Sequence, residues 1–484
     1  MSVIFASKFV NILKTFNEAE LKSFDTWLRS PWCNSNKNLV KLLAELRKYY
    51  PAFHYKKLSK EQLFQKILPK GKFSDRRMNN LLSEAYLAAE RFMIFQHLAQ
   101  NENLQKDILS QEWQNRDREK WFFKTTRKKI AQLEEKPIKA WEDHLEMLQL
   151  QRRIYHHPNQ KIRMQTGAAT LQSMDEQLEL TYLLEKAAII NEKMARQRIL
   201  RDENYELEAD LVRWKAASQA QPHPALDFYQ MRFDYTDDNR LSHYWKLRNL
   251  FFERYEELSE TQQKLHLTAL LNDTTWLAKA KLLENIEVLP LYKLGLENEL
   301  VLYKERISHA TFVTIVGASN IKSDFDFTYK FIDKYILRLD VKYRLDCINW
   351  ARSHTAYWEK KYTACIDLLI SYTFQHYYFK LAGRLLMTQA YFDLYLKDDS
   401  YESFLFNYFD AFEKWLLREK VWSKANKVSF LRFVQKCRAL AKHHNKPDFQ
   451  LSKVESLFED VQSIQALDWL QRKQQEIICL RNRY

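Results

Sequence analysis

Glycine and proline are both scarce in this sequence, which has five glycines and nine prolines among 484 residues. Ordinary proteins contain roughly 7% glycine and 5% proline. Tight hairpins, β-bulges and glycine-rich phosphate loops all depend on residues that tolerate a positive φ. The composition therefore argues against Rossmann, P-loop and β-sandwich folds, and it favours long helices joined by few turns.

Cysteines and long apolar runs are also few. The five cysteines lie far apart, and none belongs to a Cys-x-x-Cys pair, so neither a disulfide framework nor a zinc knuckle is indicated. The longest uncharged stretch, residues 307–321, is too short and too polar for a membrane span. The apolar stretch before Lys8 is too short for the core of a signal peptide. We therefore expect a cytoplasmic protein without a membrane partner.

Basic residues outnumber acidic ones, with 76 Lys and Arg against 62 Asp and Glu. The excess is uneven, because residues 1–100 carry 17 basic and 8 acidic side chains. Such an asymmetry is typical of surfaces that bind nucleic acid or an acidic partner. A merely soluble basic protein is the simpler interpretation, since the lysines are interleaved with acids and apolar residues.

Helical spacing of apolar residues and capping signals divide residues 1–100 into about five helices. Asn17 and Ser59 are each followed three residues later by Glu or Gln, the capping-box pattern, and Ser74 is a further N-cap candidate. We predict an N-terminal helical bundle over this range.

The rest of the chain divides into three further segments. Dense charge and long heptad-like stretches predict long antiparallel helices over 101–218. The stretch 219–225 contains two prolines and is the predicted domain boundary. Beyond it, capped segments of mostly 15 to 30 residues predict tetratricopeptide-like helical repeats over 224–450, and a capping helix over 451–484.

One segment of the C-terminal half fits two patterns. Phe325, Phe327, Tyr329 and Phe331 alternate with polar residues as in a strand, whereas the wider pattern as far as Leu339 fits one face of a helix. We predict a helix, because no second strand is available for pairing.

A short internal repeat supports the repeat architecture. Ala356-Tyr357-Trp358 and Ala390-Tyr391-Phe392 lie 34 residues apart, the period of tetratricopeptide helix pairs. Each triplet ends a helix-like segment and precedes a polar turn and a helix that begins with tyrosine. The sequence thus predicts an all-α fold with an N-terminal helical bundle, a long-helix middle region and a C-terminal tetratricopeptide-like α-solenoid, in which both alanines are buried.

Two N-terminal and four C-terminal stretches carry a resemblance to known sequences: Phe24–Tyr50, Leu58–Leu82, Thr311–Val316, Phe325–Tyr335, Arg384–Leu394 and Arg418–Val421. In these stretches the chain resembles a family of uncharacterised all-helical proteins common in Bacteroidetes. The resemblance implies an all-helical fold with a tetratricopeptide-like C-terminal portion. It implies no activity and no functional residue, and residues 101–218 have no counterpart in it.

Catalytic and metal-binding patterns are not found. There is no His-Glu-x-x-His, no acidic residue three positions before any histidine, and no Gly-x-Ser-x-Gly. We therefore predict no catalytic residue, no cofactor and no metal, and we expect a protein that is not an enzyme. The paired histidines at 156–157 and 443–444 are expected on the surface.

Two further groups are interpreted as structural. Cys347, Cys365 and Cys437 lie in helical apolar patterns and are expected to be buried, unreactive thiols. The cluster Glu142, Asp143, His144 and Glu146 is expected on the polar face of a helix.

A helix-turn-helix over 59–98 is the basis of an alternative, DNA-binding function. The second helix would present basic and amide groups to phosphates and base edges. The candidate contact residues are Arg76, Arg77, Asn79, Asn80, Lys70 and Lys72, with Lys56 and Lys57 near the flanking phosphates.

The sequence therefore favours a scaffolding or interaction protein that binds a protein partner on a helical-repeat surface, without catalysis. The alternative is a DNA-binding transcriptional regulator that uses the basic N-terminal domain. The identity of the partner and the oligomeric state are left open.

Overall fold

A computed structural model describes residues 3–53, 58–158, 160–199, 204–234, 240–444, 454–458 and 464–481. Within these ranges the chain forms 22 α-helices, and two isolated β-bridges are present without any strand. The predicted all-α class is confirmed. The described ranges also contain six short 3-10 helices: Val3–Ala6, Tyr255–Glu257, Asn285–Glu287, Ile336–Arg338, Asp399–Tyr401 and Ser456–Phe458.

The chain divides into two compact units. Unit 1 comprises Met1–Glu135 and Glu146–Met174, and unit 2 comprises Lys136–Leu145 and Asp175–Tyr484. The predicted middle segment 101–218 is thus shared between the two units.

Seven of the described helices lie wholly in unit 1, and the capping boxes of Asn17 and Ser59 begin two of them. Ser74 occupies the N-cap position of a third, although its side chain makes no capping hydrogen bond. The seven helices are α1 Lys8–Leu13, α2 Glu18–Arg29, α3 Lys37–Arg47, α4 Lys60–Ile67, α5 Asp75–Gln100, α6 Glu102–Asn115 and α7 Glu119–Glu134.

Aromatic rings form the centre of the bundle made by α1 to α5. The ring centroid of Phe24 lies 6.4 Å from that of Phe9, 5.8 Å from that of Phe16 and 5.1 Å from that of Phe92. Edge-to-face and tilted arrangements at these distances stabilise a core beyond the area they bury.

Two long helices contribute residues to both units: α8 Trp141–Tyr155 and α9 Gln160–Ile199. In unit 2, α9 buries Leu183 and Ile190 in a core that also holds Trp214. The indole of Trp214 donates a hydrogen bond to the carbonyl of Leu183 at 2.8 Å.

The remaining helices among the described residues belong to unit 2. They are α10 Leu207–Ala220, α11 Pro224–Phe233, α12 Arg240–Arg254, α13 Glu260–Lys279, α14 Val288–Glu297, α15 His309–Ile321, α16 Phe325–Tyr335, α17 Val341–Trp358, α18 Tyr362–Ser371, α19 Tyr377–Tyr395, α20 Glu402–Arg418, α21 Lys424–His444 and α22 Leu467–Arg481.

Two local predictions for unit 2 have clear outcomes. The break at 219–225 separates α10 from α11, but Trp214 before it and Leu226 after it are buried in the same core. The break is therefore a turn inside one unit. The helical alternative for 325–339 is confirmed for α16, which buries Phe331 and Ile332 and leaves Tyr329 exposed.

From α15 onwards, successive helices pack on one another. α15 contacts α16 and α17, α17 contacts α18 and α19, and α19 contacts α20. Polar side chains join α15 to α17 and α17 to α19. The Asn320 amide of α15 lies 3.1 Å from the Thr355 hydroxyl of α17, and the Tyr357 hydroxyl of α17 donates to Asp393 of α19 at 2.6 Å. Buried polar groups paired in this way fix the register between neighbouring helices.

Enlarging the repeated alanines tests this packing. Ala356 and Ala390 are 7% and 0% exposed, as predicted. We expect Ala356→Leu or Ala390→Leu to lower the free energy of unfolding by about 1–3 kcal/mol through overpacking. Urea unfolding monitored by circular dichroism measures the change. Ala364→Leu on the exposed side of α18 is the control, and an equal effect there would contradict this explanation.

Candidate functional site

A groove of about 400 Å³ lies between α18, α19 and α20. Lys380 and Arg384 are the charged side chains of its lining, and no carboxylate is among the described residues that line it. We call it the cationic groove; its lining is Leu369, Ile370, Tyr372, Thr373, Phe374, Lys380, Gly383, Arg384, Met387, Tyr408 and Trp415.

The connection between α18 and α19 forms one end of the groove, and Asp346 of α17 holds it. The Asp346 carboxylate accepts hydrogen bonds from the backbone N–H of His376 at 2.7 Å and of Gln375 at 3.0 Å. It also accepts the hydroxyl of Tyr372 at 2.9 Å. Charge-assisted bonds of this kind hold an irregular connection in one conformation.

Gly383 allows the floor of the groove to form. A Cβ atom at this position would lie 2.8 Å from Cε2 of Phe374, which is closer than real Cβ contacts come. The Phe374 ring therefore packs directly on the backbone of α19.

The walls of the groove combine apolar and cationic groups. Arg384 and Lys380 lie one turn apart on α19, and the Arg384 guanidinium lies 4.6 Å from the centroid of the Trp415 ring, in cation–π range. Ile370 on the opposite wall is 65% exposed. The arrangement suits an apolar side chain that lies beside a carboxylate.

A smaller cleft of about 250 Å³ adjoins α17, α19 and α22. Tyr357 donates to Asp393 at 2.6 Å and accepts the indole N–H of Trp469 at 2.7 Å. Lys473 forms an ion pair with the same carboxylate. Burial raises the pKa of Asp393 and Lys473 opposes that shift. The polar groups of this cleft are therefore partners of one another, and their bonds attach α22 to α17 and α19.

The predicted nucleic-acid contacts are all on the surface of unit 1. Arg76, Arg77, Asn79, Asn80, Lys70 and Lys72 are exposed. Lys56 and Lys57 lie outside the described residues.

Two of these side chains are engaged by α4. Lys60 Nζ lies 2.8 Å from both Asp75 and the amide oxygen of Asn79, and the Asn79 amide donates to Asp75 at 2.9 Å. Arg77 turns sideways, with its guanidinium 5.8 Å from the centroid of the Phe64 ring.

The cluster Glu142, Asp143, His144 and Glu146 is divided: Glu142 is exposed and Glu146 half-buried, as a polar helix face predicts, but the prediction is wrong for the two residues between them. Asp143 and His144 are buried, at 8% and 2% exposure. Asp143 accepts the backbone N–H of Ala140 at 2.9 Å and pairs with Lys136, so it caps the start of α8. Burial of these two residues serves packing within unit 2.

The histidine and cysteine predictions have mixed outcomes. His157 is buried at 7% exposure, with its ring 5.1 Å from that of Phe122, so its predicted surface position is wrong. The three helical cysteines are buried as predicted, and burial raises the pKa of Cys347 and Cys365 to about 12. In the part of the chain that the structure describes, no three His, Cys, Asp or Glu side chains come together as metal ligands.

The cationic groove was missed by the sequence reasoning. Its signal is a Lys and an Arg four residues apart, at 380 and 384, which a helix places on one face. The opposing walls come from α18 and α20, and local spacing gives no sign of them.

No family model matches this chain, and no curated protein or solved structure matches it either. Among the described residues, no helix is both long and apolar enough to span a bilayer.

A histidine that caps α11 predicts sensitivity to acid. His223 accepts the backbone N–H of Ala225 through Nδ1 at 3.2 Å, and its ring lies 5.0 Å from that of His144. Burial, with His144, Lys139 and Arg254 nearby, lowers the pKa of His223 to about 4. The unfolded chain, with an ordinary histidine pKa near 6.5, therefore binds the proton first as the pH falls.

We expect the contribution of His223 to be complete above pH 6.5 and to be lost as the pH falls towards 4. The loss of unfolding free energy should be about 1–2 kcal/mol after allowance for partial exposure. His223→Asn keeps a capping side chain that does not titrate, and urea unfolding at pH 7 and pH 5 should show a smaller difference for it. His97→Asn, at an exposed position, should leave that difference unchanged; a variant at 223 that behaves like wild type would refute the assignment.

Proposed function

We propose that this protein is an intracellular interaction or scaffolding protein that binds a protein partner through the helices of unit 2, without catalysis. The cationic groove is the observation that carries the proposal. It combines an exposed aliphatic side chain, an aromatic floor and two cations without a lining carboxylate. Grooves between packed helices commonly hold a peptide or helix of a partner.

The order of packing supports a tetratricopeptide-like stack as the scaffold for this groove. α15, α17 and α19 lie side by side, each with the following helix against it. The buried pair Ala356 and Ala390 keeps the 34-residue period of the sequence. In such a stack the grooves between helices are rigid, so the protein loses little conformational entropy when a partner binds.

The charge of the groove defines the expected partner. A segment that places an apolar side chain against Phe374 and a carboxylate near Lys380 and Arg384 would satisfy both parts of the lining. The partner is therefore expected to be acidic at its contact segment.

Reversing the groove chemistry tests the proposal. The double variant Ile370→Glu with Lys380→Glu replaces two exposed groups without touching the core. We expect it to weaken capture of the partner from native cytoplasm at least about tenfold, the effect of losing roughly 1.4 kcal/mol. Quantitative affinity capture with the full chain measures this loss.

The matched control is Val212→Glu with Arg352→Glu, which makes the same kind of change at exposed positions of α10 and α17. The control should retain the same bound proteins as wild type. If the groove variant also retains them at unchanged yield, the groove is not the binding site.

DNA binding by unit 1 is the second candidate, and the exposure of all six predicted contact residues favours it. Arg76 and Asn80 project one turn apart from the start of α5, and Lys70 and Lys72 lie in the turn before it. The engagement of Asn79 and Arg77 by α4 leaves fewer groups for base edges, which favours phosphate contact over sequence-specific contact.

A salt series decides this second candidate. The affinity of the full chain for duplex DNA, measured by fluorescence anisotropy, should fall steeply between low and physiological salt. Arg76→Ala with Lys72→Ala should reduce the slope of log affinity against log salt by about two, one for each phosphate contact. Lys22→Ala with Lys48→Ala, at exposed positions in α2 and directly after α3, is the control. Absence of binding at low salt would eliminate the candidate.

A further inference from the structure

A second groove in unit 2, of about 410 Å³, lies between α9 and α13, and one residue of α11 also lines it. We call it the α9–α13 groove. Six of its lining residues bear on binding: Asn191, Glu192, Arg232, Lys264, Leu265 and Ala269. A volume of this size is in the usual range for small-molecule sites.

Arg232 is held in a buried ion pair with Asp273. The two residues are 5% and 3% exposed. Oδ2 of Asp273 lies 2.8 Å from Nη1 of Arg232, and Nη2 donates to Oδ1 at 3.2 Å. The carboxylate therefore covers the end of the guanidinium that carries the two Nη atoms, and it leaves the Nε edge uncovered.

The Nε edge of Arg232 suits a carboxylate. Nε is buried and has no hydrogen-bond partner in the part of the chain that the structure describes, and such an unpaired N–H is unfavourable. Arg232 lines the groove and Asp273 does not, so the uncovered edge is the one that a ligand in the groove can reach. The Nε–H and the second N–H of Nη2 point in the same direction, at the spacing of two carboxylate oxygens.

The α9 wall of the groove presents hydrogen-bond acceptors. Oδ1 of Asn191 is buried and also has no hydrogen-bond partner among the described residues. Glu192, next to it in the sequence, is exposed and lines the same groove. An amide oxygen and a carboxylate together suit an ammonium group, which has three N–H donors and no acceptor.

The α13 wall adds a second cation and an apolar surface. Lys264 pairs with Glu260 of the same helix at 2.5 Å, with side chains 44% and 74% exposed. Exposed pairs of this kind are weak, so Lys264 is available to a bound anion. Leu265 and Ala269 lie one turn apart on α13 and provide an apolar contact.

We propose that the α9–α13 groove binds a free α-amino acid with an aliphatic side chain. The carboxylate of the amino acid binds the Nε edge of Arg232 and the ammonium of Lys264. Its own ammonium group binds Asn191 and Glu192, and its side chain packs on Leu265. An anion alone would leave Oδ1 of Asn191 unpaired, and a cation alone would leave Nε of Arg232 unpaired. The site is separate from the cationic groove, and the inference does not rest on the proposed function.

Isothermal titration calorimetry of the full chain with L-leucine tests the assignment. We expect one site per chain with a Kd below about 1 mM. Isocaproate has the same side chain and carboxylate without the ammonium group, and isoamylamine has the same side chain and ammonium group without the carboxylate. Each should bind at least about tenfold more weakly than L-leucine, because each leaves one set of charged contacts unmade.

Two variants locate the site. Arg232→Met with Asp273→Leu removes both members of the buried ion pair, so that neither charge is left buried alone. Asn191→Leu removes the acceptor of the α9 wall at nearly constant volume. Each variant should weaken the binding of L-leucine at least about tenfold. Asn407→Leu, at an exposed position of α20, is the matched control and should bind L-leucine as wild type does.

Three outcomes would overturn the inference: no binding of L-leucine with a Kd below about 1 mM, binding of isocaproate or isoamylamine as tight as that of L-leucine, or unchanged binding by either groove variant. Circular dichroism of each variant shows whether a loss of binding is a loss of fold. The comparison of the three ligands on the wild-type chain does not depend on any variant.

Discussion

The carboxylate of Asp346 is the point on which the candidate site depends. It is 2% exposed and accepts three hydrogen bonds, two from the backbone at the entrance to α19 and one from Tyr372. A buried carboxylate is stable only when partners replace its water, so the connection that supplies them is fixed to α17. The contact of α17 with α19 and the place of Phe374 in the groove floor both follow from that attachment.

Some of the described glycines of this chain allow close packing, and none of them supplies a positive φ angle. Among the described residues, positive φ angles fall on non-glycine residues and on no glycine. Glycine serves close packing instead, since a Cβ on Gly295 would lie 2.7 Å from Cγ1 of Val301 and one on Gly383 would meet Phe374. The scarcity of glycine thus correctly indicates few tight turns, but it gives no sign that Lys304 and Glu305 adopt positive φ angles of 49° and 62° in one such turn.

The candidate sites were predictable to different degrees. Given that Met78 and Leu82 face the core, helical geometry alone predicts that Arg76 and Asn80 point outward and that Arg77 turns sideways, as its contact with Phe64 shows. It could not indicate that Lys60, 19 residues earlier, binds Asn79. The cationic groove was not predictable, because three separate helices supply its walls and only one of them carries the paired cations.

The sequence by itself determined the all-α class and the starts of many helices, including the capping boxes at Asn17 and Ser59. These features depend on hydrogen bonds within four residues and on the period of the helix, so they can be read locally. Only the tertiary structure decided that Asp143, His144 and His157 are buried and that the turn at 219–225 lies inside one unit. The burial of a side chain depends on which distant helix covers it, and local spacing does not contain that information.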